Sequence, residues 1–403
     1  MENKTTQSGR IYLDCSATTP TDPRVMKKMC EFMEKDFGNP SSVHAFGREA
    51  RGKIEEARRS IAEFIGSDDP MEVIFTSGGT ESDNMAIVGV VKASKVKKPH
   101  IITSVIEHKA VLSTIEDLEK RGLVEATYLK VDGYGKVNLE DLKKEIKYNT
   151  ILVSIMYVNN EIGTVQPIRE IGKYLEKLND QRERGGFPKV YFHTDAVQAF
   201  QYLNVNVKHL HVDLMSVSGH KFYAPKGIGL LFIKKGTHIE KIQIGGGQEF
   251  GKRAGTENTP GIIALSAAID ILKKEGEKDG ERIGKLKDKL VKGIEKIENV
   301  TLTGHPKDRI PSVASFLFHG IEGEAILINL DLDGIAVSTG SACSSGSLEA
   351  SHVLLACGYD HEQAQGNIRF SLGRFTQESD IKKVLEVLPG IVDRLREMSP
   401  IAN

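Results

Sequence analysis

The sequence has few cysteines, no long apolar run and no surplus of charge, and each shortage excludes a class of protein. Its four cysteines are scattered and no two form a CxxC pair, which argues against a zinc finger or a disulfide scaffold and favours a reducing compartment. No apolar run has the length of a membrane span. The polar start MENKTTQSGR lacks the apolar core of a signal peptide. We therefore expect a cytoplasmic protein without a membrane segment.

Charge and aromatic content argue against a protein that binds nucleic acid. The formal net charge is −1, whereas a general nucleic-acid binder carries a basic surplus. Tyrosine and phenylalanine are scattered without an array on which bases could stack. What the chain does contain is 39% hydrophobic residues in a length of 403, which predicts a folded protein of two domains.

Up to about Pro260, short apolar segments alternate with longer charged segments of helical periodicity, such as GREARGKIEEARRSIAEFIG and PIREIGKYLEKLND. The apolar segments show little polar alternation, as is typical of parallel strands covered by helices on both faces. This βαβ order predicts a doubly wound α/β domain with a mostly parallel sheet. The predicted strands are residues 72–77, 100–105, 151–158, 190–194, 214–217 and 229–233.

The pattern changes after Pro260. Two helical segments, GIIALSAAIDILKKEG and GERIGKLKDKLVKGIEKIENV, meet at a charge-rich join that is typical of a solvated turn or helix surface. Shorter strand-like pieces and a last amphipathic helix follow, which predicts a smaller α+β domain. The predicted divisions are an N-terminal segment that joins the small domain (1–20), a large domain (21–260) and a small domain (261–403).

Two glycine-containing turns follow predicted strands and have the composition of a phosphate site. The turn Gly78-Gly79-Thr80-Glu81 suits either a phosphate cradle at a helix start or a plain N-cap by Thr80. It is not a P-loop, because no GK[ST] follows. The turn Ser218-Gly219-His220-Lys221 suits either a Schiff-base lysine flanked by phosphate donors or an ordinary loop lysine.

Three more polar loops follow predicted strands. Asp195, in HTDAVQ, suits either a partner for a cationic ring nitrogen or a helix N-cap. The loops NNEIGT (159–164) and EHK (107–109) come after two further strands. Because ligands bind at the carboxyl ends of the strands in such folds, convergence of these loops on one site is the favoured interpretation.

These motifs resemble those of the cysteine desulfurases of the NifS/IscS type, which are pyridoxal-phosphate (PLP) enzymes of fold type I in the class V aminotransferase family. The resemblance runs from YLDCSATTP (12–20) to IRFSLGRFT (368–376). It includes FTSGGTESDN, EHKAV, VNNEIGT, HTDAVQ, SGHKFYAPKGIG, RAGTEN and SACSSGSLE. The last motif is similar to the longer active-site loop of the NifS and IscS subgroup.

The resemblance implies a role for each matching residue. Lys221 forms the Schiff base with PLP, Asp195 pairs with the ring nitrogen, and His108 stacks on the ring and shuttles protons. Asn160 contacts the ring and the substrate, and Arg369 binds the substrate carboxylate. The other implied cofactor contacts are Gln198 with the ring hydroxyl, Gly79, Thr80, Ser218 and His220 with the phosphate, and Thr256 with the phosphate of the partner subunit in a homodimer.

Cys343 resembles the nucleophile of the family, and a cysteine in the loop STGSACSSGS is poorly placed for a core. The implied reaction converts L-cysteine to L-alanine and leaves a persulfide on Cys343. The sulfur then goes to an iron–sulfur scaffold protein and possible further acceptors such as a tRNA-thiolation system. The resemblance implies no metal in the enzyme alone, although Cys343 could serve as a transient cluster ligand with the scaffold.

Three alternative functions stay open from the residues: a selenocysteine lyase, an aminotransferase on the same fold, and a non-catalytic assembly protein, which would be expected to lose Lys221 or Cys343. We predict no functional role for three histidines: we expect His44 at a helix start, and His209 and His211 in surface or core positions rather than on a metal. We expect Cys30 and Cys357 in the core and a structural role for Cys15.

Overall fold

A computed structural model of the chain describes residues 9–340 and 350–398. Its strands are β1 (Ile11–Tyr12), β2 (Val73–Thr76), β3 (His100–Ser104), β4 (Glu125–Leu129), β5 (Thr150–Ser154), β6 (Tyr191–Asp195), β7 (Leu214–Ser218), β8 (Gly229–Ile233), β9 (Val300–Leu302), β10 (Val313–Phe318), β11 (Ile335–Ala336) and β12 (Asn367–Ser371). Its helices are α1 (Pro23–Lys35), α2 (Ala45–Ile65), α3 (Gly79–Ala93), α4 (Lys109–Lys120), α5 (Leu139–Glu145), α6 (Ile168–Arg184), α7 (Val207–Leu210), α8 (Thr259–Ile294), α9 (Gly323–Leu332), α10 (His352–Ala356), α11 (His361–Gln365) and α12 (Glu378–Met398).

The main sheet has seven strands in the order β2-β8-β7-β6-β5-β3-β4. Strands β7, β6, β5, β3 and β4 run parallel to one another, whereas β8 is antiparallel to both β7 and β2. The strands β2, β3, β5, β7 and β8 are buried along their whole length, as expected for a sheet covered on both faces. The predicted α/β class is therefore confirmed, with β8 as the reversed strand.

Two details of the predicted elements were wrong. Strand β4 was not predicted, because its residues are half-exposed at the sheet edge and form no continuous apolar run. The two helices predicted after Pro260 are one helix, α8, of 36 residues. The charge-rich join lies on the surface of this helix, and Gly276 within it packs closely against Leu272.

Helix α8 links two hydrophobic cores. Its first half contributes Ile262, Leu265 and Ile269 to the core that contains β6, β7 and β8. Its second half contributes Ile283 and Leu290 to a core formed with β10, β12 and α12. The residue ranges of the two domains stay a prediction.

The N-terminal segment joins the second core rather than the first. Strand β1 pairs in parallel with β11, and Leu13 is buried among β10, β12 and α12 residues. The backbone N–H of Cys15 donates to the carbonyl of Ser371 at 3.1 Å. This pairing carries the following residues, Ser16 to Thr18, across to the carboxyl end of the main sheet, where Thr18 contacts His220.

Several single-residue expectations can be compared with the fold. His44 is the N-cap of α2, as predicted, and its Nδ1 accepts from the Gly47 N–H. Cys30 lies on the exposed face of α1, so its predicted core position was wrong; the buried residues of α1 are Val25 and Phe32. Cys357 is half-buried at the end of α10. In the described part of the chain, no helix has the length and apolarity needed to cross a membrane.

Candidate functional site

The candidate site lies at the carboxyl ends of β3, β5, β6 and β7, where four polar loops leave the sheet. A parallel sheet directs these ends to one edge, so the loops meet because of the topology and not because they are close in sequence. The residues that the sequence predicted in these loops are His108 after β3, Asn160 after β5, Asp195 and Gln198 after β6, and Ser218, His220 and Lys221 at and after β7.

Lys221 is held at the end of a short 3-10 turn, Gly219–Lys221, that directly follows β7. Its Nζ donates to the backbone carbonyls of Ser16 at 2.5 Å and Ala17 at 2.8 Å. The amine is therefore aimed out of the sheet toward the N-terminal segment. A lysine that makes only local surface contacts would not reach across to a segment 205 positions away.

Asp195 ends β6 and is buried, with 6% of its surface exposed. One carboxylate oxygen, Oδ1, accepts from the Val197 N–H at 2.8 Å. Burial raises the pKa of Asp195, while the neighbouring His108 and Lys221 act to lower it. Asp195 begins a turn and not a helix, so the N-cap alternative is wrong. The Val197 contact accounts for one oxygen, and the burial of the group still calls for a cationic partner.

His108 faces the same charges. It is the N-cap of α4, where its Nδ1 accepts from the Ala110 N–H at 3.1 Å. Burial lowers the pKa of His108, Asp195 acts to raise it, and Lys221 lowers it further. The imidazole therefore favours its neutral form in this setting. Three titratable groups that the sequence singled out separately thus lie within electrostatic reach of one another.

The turn before α3 forms an anion cradle. The helix begins at Gly79, and its N-cap is Gly78 with no side-chain cap, so the alternative of an N-cap by Thr80 is excluded. Gly78 has φ +153°, which side chains rarely adopt, and a Cβ there would approach Ser218 Oγ at 3.5 Å. A Cβ at Gly79 would lie 2.9 Å from Val197. Bare backbone N–H groups and the positive helix end are thus left open to an anion beside the Ser218 hydroxyl.

His220 and Gln198 contact the N-terminal segment from either side of Lys221. His220 Nδ1 lies 3.1 Å from Thr18 Oγ1, and burial together with Lys221 and Lys226 lowers the pKa of this histidine to about 4. Gln198 Nε2 donates to the Ser16 carbonyl at 3.0 Å. Ser16 therefore accepts from both Gln198 and Lys221.

Arg369 reaches the site from β12. It is buried, with Nη1 donating to the Asn160 carbonyl at 3.0 Å and Nη2 donating to Asp14 Oδ1 at 2.9 Å. Its Nε is buried without a hydrogen-bond partner within the described ranges. An unused guanidinium N–H costs free energy unless an acceptor arrives. Arg369 is therefore able to bind a further anion such as a carboxylate.

Sequence reasoning missed four acidic residues around the site. Asp14 pairs with Arg369, and Glu161 follows Asn160 in the loop after β5. Asp83 on α3 and Glu107 before α4 are fully buried near Asp195, and burial raises the pKa of both, that of Glu107 to about 8. Each lies within a quoted motif, but burial (Asp83, Glu107 and Glu161) or an ion pair (Asp14) distinguishes it from an exposed acid, and the sequence states neither.

The remaining predicted residues have different positions. Thr80 follows Gly79 in the cradle turn and is exposed, and Thr256 is also exposed. Cys343 lies outside the described residues. His211 pairs with Glu176 at 3.0 Å, His209 is exposed, and across the ranges that the structure describes no group of His, Cys, Asp and Glu is suited to a metal ion.

The donor set fits one kind of cofactor. The cradle of Gly78, Gly79 and Ser218 suits a phosphate, the Lys221 amine suits an aldehyde carbon, and the buried Asp195 carboxylate suits a cationic ring nitrogen. These are the three reactive groups of PLP. His108 provides an aromatic ring within the same cluster.

Comparison with known proteins agrees with this chemistry. The aminotransferase class-V family model matches residues 11–384. The cysteine desulfurase IscS of Dictyoglomus turgidum is 51% identical over 391 residues, which cover 97% of this chain and 96% of that protein. The cysteine desulfurase IscS of Methanosarcina thermophila is 48% identical over 400 residues, covering 99% and 96%.

Solved structures give the same result. A NifS-like protein superposes with a TM-score of 0.88 at 37% identity, covering 96% of this chain and all of that one. A NifS-like protein from Rickettsia africae has a TM-score of 0.84 at 32% identity, with 95% and 99% covered. The fold is thus fold type I, and enzymes of this family depend on PLP. The chain belongs to the class-V aminotransferase family and, within it, to the cysteine desulfurases of the NifS/IscS type.

Proposed function

We propose that this cysteine desulfurase converts L-cysteine to L-alanine in the cluster around Lys221 and transfers the sulfur to its own Cys343. The observation that supports the placement is the joint position of Lys221, Asp195 and His108 at the carboxyl edge of the sheet. We further propose that PLP is held there by Lys221, Asp195, His108, Asn160 and Gln198, with the phosphate on Gly79, Thr80, Ser218 and His220 and on Thr256 of the partner subunit.

Bound PLP would supply an electron sink for negative charge that develops at the substrate α-carbon. Asp195 would keep the ring nitrogen protonated, because its buried carboxylate gains a cationic partner in that form. Arg369 would bind the substrate carboxylate and so orient the α-carbon toward Lys221. Lys221 Nζ would take the α-proton and return a proton on the way to alanine, and the neutral His108 imidazole would carry a proton to or from the sulfur.

The sulfur-transfer step balances without an external oxidant. The Cys343 thiolate attacks the substrate sulfur, an S–S bond forms, and the Cβ–S bond breaks. The electron pair of the broken bond passes to the carbon skeleton, which takes up protons and leaves as alanine. L-cysteine and one thiol thus become L-alanine and one persulfide.

The test uses purified holoenzyme under anaerobic conditions with L-cysteine and a thiol reductant. We expect equal yields of alanine and sulfide from the wild type and loss of both in Cys343→Ala and in Lys221→Ala. Undiminished alanine and sulfide from Cys343→Ala would place the nucleophile elsewhere. A keto acid in place of alanine would instead indicate an aminotransferase, and faster release of alanine from L-selenocysteine would indicate a selenocysteine lyase.

The proposal includes a homodimer. Thr256 is exposed in the single chain. The segment that carries it is held firmly: Arg253 Nε donates to Glu81 Oε1 at 2.8 Å, and Glu249 forms a two-pronged buried pair with Arg58. A fixed segment that presents a hydroxyl outward is suited to complete a second copy's phosphate site. Sedimentation of the holoenzyme should give twice the mass of the chain, and Thr256→Ala should weaken PLP binding without breaking the dimer.

The proposed sulfur acceptor is an iron–sulfur scaffold protein, in the cytoplasm, with Cys343 able to act as a transient cluster ligand during transfer. The relatives carry the name IscS, and the three cysteines within the described ranges are free thiols, which suits a reducing compartment. Persulfide labelled with ³⁵S should pass from the enzyme to a scaffold protein, and Cys343→Ser should abolish that transfer.

A further inference from the structure

A single buried carboxylate, that of Glu161, contacts both sides of the stretch that contains Cys343. The Ser351 hydroxyl donates to Glu161 Oε2 on the C-terminal side of residues 341–349. On the N-terminal side, Gly340 lies so close that a Cβ there would be 2.6 Å from the same oxygen. Glu161 has only 5% of its surface exposed. One oxygen atom therefore lies beside both described positions that flank residues 341–349.

Gly340 has a second fixed contact. Its N–H donates to Asn367 Oδ1 at 2.8 Å. The Asn367 side-chain amide in turn donates to Ser315 Oγ at 2.9 Å and to the Phe316 carbonyl at 3.1 Å. Asn367 begins β12, so Gly340 is hydrogen-bonded to the β10–β12 sheet and lies close to Glu161. A side chain at position 340 would have to displace both acceptors.

The loop of Glu161 also contacts the candidate carboxylate-binding arginine. Arg369 Nη1 donates to the carbonyl of Asn160, the residue before Glu161. The Glu161 N–H donates to Asn159 Oδ1 at 2.9 Å, which constrains the backbone of the loop at this residue. The charged and titratable groups that face the Glu161 carboxylate are Arg369 and Lys109, which favour its ionised form, and the Cys357 thiol.

We propose that Glu161 is a positioning residue for sulfur transfer: it sets the two ends of the Cys343 stretch at a fixed place beside Arg369, so that Cys343 meets the sulfur of a substrate whose carboxylate Arg369 holds. This inference depends on the proposed role of Cys343. It assigns to Glu161 a task separate from substrate binding, because the carboxylate contacts the flanks of that stretch and not the cofactor cluster.

The protonation state of Glu161 gives the arrangement a measurable signature. Burial raises its pKa to about 7, while the Ser351 hydrogen bond, Arg369 and Lys109 oppose the rise. The carboxylate is the stronger acceptor for the Ser351 hydroxyl. The contact therefore strengthens as the pH rises through about 7. Glutamine can still accept from Ser351 but does not titrate.

The chain supplies a matched control. Glu72 is likewise buried and likewise accepts a short hydrogen bond from a serine, Ser67, at 2.5 Å. This pair lies before β2, and its other oxygen accepts from the Lys235 N–H. The chemistry of the pair is the same, but it contacts neither flank of the Cys343 stretch. A loss that is specific to Glu161 therefore cannot come from removing a buried Glu–Ser hydrogen bond as such.

The experiment compares Glu161→Ala and Glu161→Gln with Glu72→Ala and Glu72→Gln in the holoenzyme. The first measurement is the single-turnover rate of alanine formation with L-cysteine. The second is the Kd for L-alanine, which has the carboxylate but no sulfur, measured by cofactor absorbance. We expect Glu161→Ala to slow sulfur transfer by about 10- to 100-fold, as a displacement of about 1 Å between reacting groups does, with the Kd for L-alanine changed less than about twofold.

The pH profile of the single-turnover rate completes the test, and thermal unfolding shows whether each variant folds. The ratio of wild-type to Glu161→Gln rates should change around pH 7, whereas the ratio for Glu72→Gln should be flat. Equal rate losses in Glu161→Ala and Glu72→Ala, or a Glu161→Ala effect confined to the Kd for L-alanine, would overturn the proposal. If Glu161→Ala does not fold, Ser351→Ala against Ser67→Ala makes the same comparison.

A parallel Cys343→Ser variant separates this proposal from the one on which it depends. Alanine formation that survives in Cys343→Ser would refute the role of Cys343, whatever Glu161 does. If Cys343→Ser is inactive while Glu161 and Glu72 variants behave alike, the role of Cys343 stands and the positioning role of Glu161 is refuted.

Discussion

Arg369 and Asp14, which are 355 positions apart, form a 2.9 Å ion pair at the candidate site. The pair joins β12 to the N-terminal segment and holds one edge of the guanidinium. The Nε on that edge is buried without an acceptor within the described ranges. This leaves a planar donor group that is fixed in place and incompletely used, which is the arrangement expected for a carboxylate-binding arginine before its ligand arrives.

Replacing Arg369 by lysine should weaken binding of L-cysteine more than it slows the reaction. Lysine keeps the charge but offers a single point instead of a fork, so the two-pronged contact with a carboxylate is lost. We expect KM to rise by about 10-fold, which corresponds to about 1.4 kcal/mol. Steady-state kinetics of alanine formation measure this.

Cysteamine, which is cysteine without its carboxylate, is the control ligand for that variant. Its affinity should be the same in the wild type and in Arg369→Lys. An equal loss of affinity for cysteamine and L-cysteine would show that Arg369 acts on the shape of the pocket and not on the carboxylate.

Asp83 should tolerate replacement by asparagine. Its Oδ1 is buried 3.6 Å from His193 Nε2 and has no hydrogen-bond partner within the described ranges. Burial, then Asp195 and Glu107, raise the pKa of Asp83, and burial lowers that of His193 to about 3. Two neutral groups are therefore expected, and an amide can replace a neutral acid at a cost of about 1 kcal/mol or less.

The comparison for Asp83→Asn is Asp195→Asn, in which a carboxylate with a cationic partner is lost. We expect Asp195→Asn to lower kcat by about 100-fold or more, because a charged group aimed at the reacting system is removed. The free energy of unfolding of Asp83→Asn, measured in urea, and its kcat should both be close to those of the wild type. A loss of several kcal/mol in Asp83→Asn would mean that Asp83 is charged.

His100 should make the fold less stable in acid. It is fully buried, its ring nitrogens lie 2.9 Å from Thr150 Oγ1 and Thr127 Oγ1, and burial followed by Lys147 lowers its pKa from 6.5 to about 4. Between those values the unfolded chain binds more protons than the folded one. The free energy of unfolding therefore falls as the pH is lowered from about 6.5 to about 4, by about 1.4 kcal/mol per pH unit from this group.

Urea unfolding of the wild type and His100→Gln at several pH values measures that contribution. The variant should be less stable at pH 7. Its free energy of unfolding should fall more slowly on acidification, by about 1.4 kcal/mol per pH unit less than that of the wild type. Parallel curves for the two proteins would contradict the assignment. His100 lies at the start of β3, away from the candidate cofactor site, so the comparison does not depend on PLP.

Gly78→Ala should weaken the binding of PLP. Gly78 has φ +153°, a conformation that costs a residue with a side chain about 1–3 kcal/mol. Relief of that strain would turn the backbone N–H groups away from the anion. We expect the Kd for PLP, measured by absorbance titration of the apoprotein, to rise by about 10-fold or more.

Gly52→Ala is the matched control for that change. Gly52 lies on α2, where a Cβ would meet nothing within 4 Å. Alanine there should stabilise the helix by up to about 1 kcal/mol and leave PLP affinity unchanged. Equal PLP affinity in the two variants would refute the cradle.

Local patterns predicted much of the fold. Strand β8 has the bounds that its apolar run indicated, and α12 is the last amphipathic helix that the pattern predicted. The reversed direction of β8 was not predictable, because parallel and antiparallel buried strands have the same apolar composition. The continuity of α8 was missed because glycine and charge at its middle indicate an end, whereas buried residues on both sides stabilise one helix.

The residues of the candidate site were likewise predictable only in part. Lys221, Asp195 and His108 could be predicted because each follows a strand, and topology brings strand ends together. Asp14 and Glu161 could not, since their roles come from contacts with Arg369 and Ser351 that are 355 and 190 positions away. No periodicity encodes such pairs, and their acidic side chains resemble those of the solvated surface.

The pairing of β1 with β11, and of Asp14 with Arg369, has a consequence for the order of events during synthesis. The ribosome delivers Ile11 to Ser16 more than 300 residues before their partners on β11 and β12. The early segment therefore lacks its β11 and β12 partners while the main sheet forms. Because this segment also supplies the carbonyls that hold Lys221, the cofactor site is complete only after β12 has left the exit tunnel.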